Sequence, residues 1–135
     1  MMRKNKYLTN TFLAISLVSF CALAKAETKK YQPAESQTGI ASYFNDKYHG
    51  QRTASGEPYN KFALTAAHAS LPFGTLLHVV NLRNNHSVDV RVNSRVHHAN
   101  KRLLDLSRQA AKELGFIQAG TTKIAITILR LGEEA

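Results

Sequence analysis

Val88, Val90 and Val92 alternate with Asp89, Arg91 and Asn93, which predicts a strand with one buried face. Residues 76–82 read as its partner and residues 83–86 as the turn between them, so this segment is expected to be a hairpin. Ile124, Ile126 and Ile128 alternate in the same way and mark the last strand, over residues 123–129. Residues 38–44 open the folded part, with Ile40 and Tyr43 packing inward. Ser107 can cap a short helix whose apolar face is Ala110, Ala111 and Leu114 and which Gly115 closes. Leu71-Pro-Phe-Gly74 makes a turn. Five or six short strands, one helix and no internal repeat imply a small β-barrel.

Three places in this pattern carry candidate chemistry. Leu103, Leu104 and Leu106 surround Asp105, so a carboxylate is expected at the edge of a core just ahead of the helix. It needs a hydrogen-bonding or charged partner there. The structural reading ties a strand end to backbone N–H groups, and the functional one is proton transfer. Residues 45–61 form a long loop rich in Gly, Asn, Ser and Pro that also holds Tyr48, His49, Glu57 and Tyr59. Aromatic faces in such a loop suit sugar rings or bases. The small-residue apolar run over residues 62–68 ends in His68, and a lone histidine beside a core is more often structural than catalytic. His97 and His98 lack a third placed ligand, so neither a metal nor a cofactor is expected.

Of the 135 residues, the first 26 do not read as part of the domain. Arg3, Lys4 and Lys6 precede an apolar stretch over residues 11–23, and Ala24-Lys25-Ala26 offers a small-x-small cleavage site, which together form a secretory signal peptide. Cleavage there removes Cys21, the single cysteine. Lipoprotein processing at Cys21 is the lesser alternative, because Phe20 stands where Gly or Ala is needed. Residues 27–37 form a polar, flexible leader and residues 38–135 the barrel domain. After cleavage, 14 basic residues face 9 acidic ones, a net charge of 14 − 9 = +5. That charge is spread rather than clustered, which disfavours nucleic acid. It suits acidic cell-wall polymer or an anionic surface, and ordinary solubilising charge accounts for it equally.

Several short motifs occur together. Gly39-Ile-Ala-Ser-Tyr43, His49-Gly-Gln-Arg-Thr-Ala-Ser-Gly-Glu57, Leu64-Thr-Ala-Ala-His68, Leu71-Pro-Phe-Gly74 and Leu104-Asp-Leu-Ser107 resemble the rare lipoprotein A family in order and spacing. The resemblance runs from about Gly39 to Ile128. It implies a mainly β fold, a six-stranded double-psi β-barrel with one or two short helices, similar to the barrels of expansins and family 45 glycoside hydrolases. It also implies an endolytic peptidoglycan lytic transglycosylase acting on peptide-free glycan strands and leaving 1,6-anhydromuramic ends. No C-terminal glycan-binding repeat domain is expected. Peptidoglycan is the implied partner, with cell-division or cell-wall amidase machinery beside it. The location is periplasmic or secreted, without stable membrane insertion after cleavage.

By that resemblance Asp105 is the catalytic acid, and Glu57 and His68 are polar groups of the groove that orient the sugar. Arg52, Tyr59, Asn93, Ser94 and Arg95 are expected to bind substrate, with Arg52 and Arg95 near the lactyl carboxylates. The chain departs from the family at Ser94. Val92-Asn-Ser-Arg-Val-His97 replaces Val-Asn-Asp-Arg-Gly-Pro, so one groove carboxylate is lost. Tyr43-Phe-Asn45 also replaces an aromatic-Tyr-Gly run. Hydrolysis with inversion needs a second carboxylate to activate water. A lytic transglycosylase needs no water, because the muramic acid C6 hydroxyl attacks its own anomeric carbon, and one acid–base group serves both halves. The alternative is a glycan-binding or cell-division accessory protein that keeps the groove and has lost turnover through Ser94.

Overall fold

The computed structural model describes residues 36–97 and 101–133. The expected signal peptide with Cys21, most of the leader and His98 lie outside the described residues. Six strands form a closed barrel: β1 (Gln37–Tyr43), β2 (Thr65–Ala67), β3 (Leu76–Asn81), β4 (Ser87–Ser94), β5 (Leu104–Leu106) and β6 (Thr122–Arg130), with α1 (Arg108–Leu114) between the last two. A short 3-10 turn covers Asp46–Tyr48. The order around the barrel is β1-β5-β2-β4-β3-β6. β1 with β5 and β2 with β4 are parallel, and the other pairs are antiparallel. This is the mainly β, six-stranded double-psi barrel that the motifs imply. Among the described residues no helix is long and apolar enough to cross a membrane.

The alternating residues fill the interior. Val88, Val90 and Val92 of β4 meet Leu77 and Val79 of β3, Ile124 and Ile126 of β6, and Leu104 and Leu106 of β5. Ser107 caps α1, its Oγ accepting from the Ala110 N–H and donating to the Ala63 carbonyl. Gly115 closes the helix at φ 76°, the left-handed geometry that glycine adopts without strain. The buried Asn81 at the end of β3 donates to the Leu114 carbonyl and accepts from Thr122 Oγ1, fastening the hairpin to the helix C-terminus.

One inward assignment is wrong. Ile40 is 43% exposed, whereas its neighbour Ala41 is fully buried between Leu104 and Thr122. The phase of β1 is set by contact with the segment before β5: a Cβ on Gly39 would lie 2.6 Å from Leu103 Cβ. Tyr43 does pack on the core, edge-on to Phe116 with its hydroxyl donating to the Ile117 carbonyl.

Candidate active site

β5 is three residues long, and its alternation decides where Asp105 points. Leu104 and Leu106 are buried and Asp105 lies between them in register with Ser42 of β1 on one side and Ala67 of β2 on the other. Its side chain is 13% exposed. Ser42 Oγ donates to Oδ1 at 2.6 Å, and Arg102 donates from Nε to Oδ1 at 2.6 Å and from Nη2 to Oδ2 at 3.1 Å. The carboxylate at the edge of the core is there as expected, but it is tied to side chains rather than to backbone N–H groups. Among the described residues Oδ2 carries only the longer contact.

Ala67 also pairs with Ser94 on β4, across an irregularity in register. Asp105 and Ser94 therefore flank one β2 residue, about two strand spacings or 10 Å apart. The loop over residues 45–61 folds over this region as a small hairpin. Gly50 N–H donates to the Tyr59 carbonyl, Tyr59 N–H to the Gln51 carbonyl, and Thr53 N–H to the Glu57 carbonyl. Gly56, at φ 92°, supplies the left-handed turn.

Glu57 fastens that hairpin to β4. Arg91 Nη1 and Nη2 donate to Oε1 and Oε2, each at 2.8 Å, and Asn93 Nδ2 donates to Oε2 at 3.2 Å. Those contacts, Arg91 foremost, hold the Glu57 carboxyl below its ordinary range against the opposing effect of burial. The same pairing raises the Arg91 guanidinium further above its already high range. Glu57 is consequently a fixed anion.

An open cleft of about 80 Å³ lies beside the hairpin, lined by Phe44, Tyr48, Gln51, Arg52, Tyr59 and Ser94 among others. Arg52, Tyr59 and Ser94 are thus brought together. Tyr59 is a wall of this cleft, not an open stacking face: the residue is 3% exposed and its hydroxyl accepts from the Arg108 N–H at the start of α1. Burial raises its phenol above the ordinary range. Tyr48, at 41% exposure, is the more open aromatic. Arg52 Nη1 donates to the Gly56 carbonyl at 2.9 Å.

His68 follows β2 and is buried. Its backbone N–H donates to the Ser94 carbonyl, and its ring Nδ1 accepts from the Ser70 and Leu71 N–H groups, both at 3.0 Å. Burial first, and then the nearby Arg95 cation, push the imidazole below its usual range. Arg95 lies over the Phe73 ring at 4.0 Å from its centroid and donates to the Ser94 carbonyl. Phe73 belongs to the Leu71-Pro-Phe-Gly74 turn, so that motif supports the site as well as turning the chain.

Asp105, His68 and Ser94 thus lie together along β5-β2-β4, with Asn93 next to Ser94 on β4, and the hairpin brings Glu57 to them. Arg102, Arg91 and Ser42, which engage the carboxylates, were not singled out from the sequence. Arg102 at three residues before Asp105 and Arg91 between two buried valines were visible as cations beside the motifs, whereas nothing local pointed to Ser42, 63 residues from Asp105. Among the described residues no group of three His, Cys, Asp or Glu side chains could hold a metal ion.

Residues 36–126 match the family model described as "Lytic transglycolase". The chain is 43% identical over 109 residues to "Endolytic peptidoglycan transglycosylase RlpA" of Campylobacter jejuni, covering 77% of this chain and 40% of that one. It is 41% identical over 118 residues to the protein of the same name from Neisseria meningitidis, covering 87% and 49%. The chain therefore spans less than half the length of these curated relatives. Among solved structures, the Streptomyces papain inhibitor superposes with a TM-score of 0.59 at 21% identity over 73% of this chain and 98% of its own. An expansin of Clavibacter michiganensis gives 0.57 at 21% identity, over 74% and 53%. These two likenesses are to the barrel alone.

Proposed function

The chain belongs to the rare lipoprotein A family of lytic transglycolase barrels, and from that premise we propose that it cuts peptide-free glycan strands of peptidoglycan without water. The observation that carries this reading is Asp105: a carboxylate 13% exposed, across Ala67 of β2 from the cleft residue Ser94, with one oxygen lightly engaged. Protonated at Oδ2, it delivers that proton to the glycosidic oxygen as the bond to the muramic anomeric carbon breaks. The C6 hydroxyl of the same sugar then bonds to that carbon and returns its proton to Oδ2. A 1,6-anhydro end results, and the carboxyl is regenerated. The Arg102 fork pairs with the ionised carboxyl, so the proton is loaded only as Oδ2 gives up its 3.1 Å Arg102 contact to the substrate, both contacts on Oδ1 being kept. Glu57, as an anion clamped by Arg91, orients Asn93 and the hairpin rather than donating a proton. Arg52, Tyr59, Asn93, Ser94 and Arg95 line the path of the strand, the two arginines meeting the lactyl carboxylates.

The same reading makes residues 1–26 a signal peptide, residues 27–37 a leader and residues 38–135 the working domain of a periplasmic or secreted protein. Cell-division or amidase machinery is the partner class that fits an enzyme acting on denuded strands. The test is to digest denuded glycan with wild type, Asp105→Asn and Ser94→Asp and count 1,6-anhydro ends. Asp105→Asn, nearly isosteric and unable to give up a proton, is expected to lose roughly 10²–10⁴-fold in turnover, the range a placed acid–base contributes. Ser94→Asp, which restores the second groove carboxylate on β4 two strands from Asp105, is expected to raise turnover. Undiminished cutting by Asp105→Asn contradicts the assigned role. Cutting by Ser94→Asp alone assigns the natural protein to glycan binding without turnover.

A further inference from the structure

Asp105 is held in a grip that a proton donor has to leave. Arg102 donates from Nε to Oδ1 at 2.6 Å and from Nη2 to Oδ2 at 3.1 Å. Arginine keeps its charge at every working pH, so this fork matches the ionised carboxyl. A proton on Oδ2 and the Nη2–H of Arg102 contend for one oxygen. The arginine side chain is the partner that can move. Its backbone is tied down next door, because Leu103 N–H donates to the Ile40 carbonyl at 2.8 Å and Leu103 packs against Gly39. The Arg102 side chain is 33% exposed against 13% for Asp105, so the guanidinium is open to an incoming group where the carboxylate is nearly closed. Nη1 takes no part in the grip, which leaves one edge of the guanidinium to meet an anion before the other edge lets go.

We propose that Arg102 is a specificity-determining residue that exchanges Asp105 for the free lactyl carboxylate of the muramic ring being cut, so that Oδ2 is released only on strands stripped of stem peptide. The inference rests on Asp105 being the acid, as proposed above. A ring whose glycosidic oxygen meets Oδ2 lies beside Nη2, which is 3.1 Å from that same atom. Its lactyl group hangs from O3, two ring carbons from the anomeric carbon, and ends in a carboxylate when the peptide is absent. With a stem peptide attached that end is a neutral amide. Hydrogen bonds between ions are about twice as strong as neutral ones, and arginine meets a carboxylate through two of them. The free carboxylate therefore competes with Asp105 for the fork, and the amide does not. In the exchange one ion pair replaces another, Ser42 keeps its bond to Oδ1, and the proton enters from solvent. Glu57 is engaged by Arg91 and Asn93, and Asp46 by Lys61 and Arg108, so neither draws Arg102 away beforehand. Arg52 and Arg95 contact the Gly56 and Ser94 carbonyls rather than Asp105, so their effect is on binding of the strand and not on release of the acid.

Two substrates that differ only in this group test the exchange: peptide-free strands, and the same strands with each lactyl carboxylate converted to its methylamide. The methylamide removes the charge without the bulk of a stem peptide. For wild type, kcat for 1,6-anhydro ends is expected to fall about 10–10²-fold on the methylamide, the strength of one charge-assisted hydrogen bond. KM is expected to rise as well, through Arg52 and Arg95. In Arg102→Gln there is no fork to release, so kcat is expected to become equal on the two strands while the KM difference persists. Loss of fold alone would lower both rates and leave their ratio unchanged. Arg102→Lys, with the charge but not the fork, is expected to keep part of the kcat preference. Equal kcat of wild type on both strands overturns the proposal and leaves Asp105 as the acid, and that comparison decides even where Arg102→Gln does not fold. A folded Arg102→Gln with the full kcat preference overturns it too. So does a methylamide strand cut like the free one while a peptide-bearing strand is spared, because the selection is then steric. If wild type releases no anhydro ends from peptide-free strands, the acid assignment and the exchange fall together.

Discussion

Glu57 and Asp105 are both gripped by an arginine fork, but Glu57 reaches 34 residues from a loop to Arg91 on β4, whereas Asp105 reaches back three residues to Arg102. The Glu57 side chain is 46% exposed and the Asp105 side chain 13%. Solvent therefore shares the charge of the Glu57 carboxylate far more than that of Asp105. The Glu57 pair joins two pieces of chain and sets the position of a wall. The Asp105 pair holds one group still within a barrel whose position is already determined by β1, β2 and β5. Identical side-chain chemistry thus governs loop placement at one site and the orientation of a strand-held carboxylate at the other. The difference follows from burial and sequence separation, not from the pair itself.

The largest effect on stability is expected at Arg102. Arg102→Gln leaves Asp105 buried with one hydroxyl partner, and unpairing a buried hydrogen-bonded carboxylate costs about 1.5–3 kcal/mol. Chemical denaturation read by circular dichroism measures it, and a loss no larger than that of Arg91→Gln would erase the contrast between the two pairs. Arg91→Gln is expected to cost under about 1 kcal/mol globally, since half-exposed ion pairs contribute little. Its consequence is local: the hairpin over residues 51–58 loses its tie to β4 and becomes the first site of limited proteolysis. Unchanged cleavage there would show that the backbone hydrogen bonds alone hold the hairpin.

The smallest effect is in the pH dependence. Glu57 has a lowered carboxyl in the folded state, so its contribution is present above the ordinary carboxylate value and is lost as pH falls through the folded value. His68 also has a lowered folded value. The unfolded chain takes up its proton first, so stability declines as pH drops below about 6.5 and levels off once the folded ring is protonated. Thermal melts of wild type are expected to lose stability from pH 7 toward pH 5, and His68→Asn to flatten that slope. A slope unchanged in His68→Asn removes His68 as its source.

The strands were legible because period-2 alternation survives wherever one face is buried, as at Val88, Val90 and Val92. The helix was legible because Ser107 and Gly115 carry its caps. Ile40 misled because the contact that sets its phase, Gly39 against Leu103, is 64 residues away in the chain. Asp105 could be singled out from its leucine neighbours, yet its partner Ser42 could not, since only barrel closure brings β1 against β5. Tyr59 read as a platform for sugars because aromatic type and loop position were visible, while the helix start that occupies its hydroxyl was not. The Nδ1 contacts of His68 come from a turn two and three residues on, which no periodicity signals.

The claim that this groove breaks glycosidic bonds without water is tested most directly by digesting peptide-free glycan in water labelled with heavy oxygen and weighing the new ends. The account predicts 1,6-anhydro ends with no label, lighter by one water than hydrolytic ends. Labelled reducing ends, or strands that bind and stay whole, would contradict it.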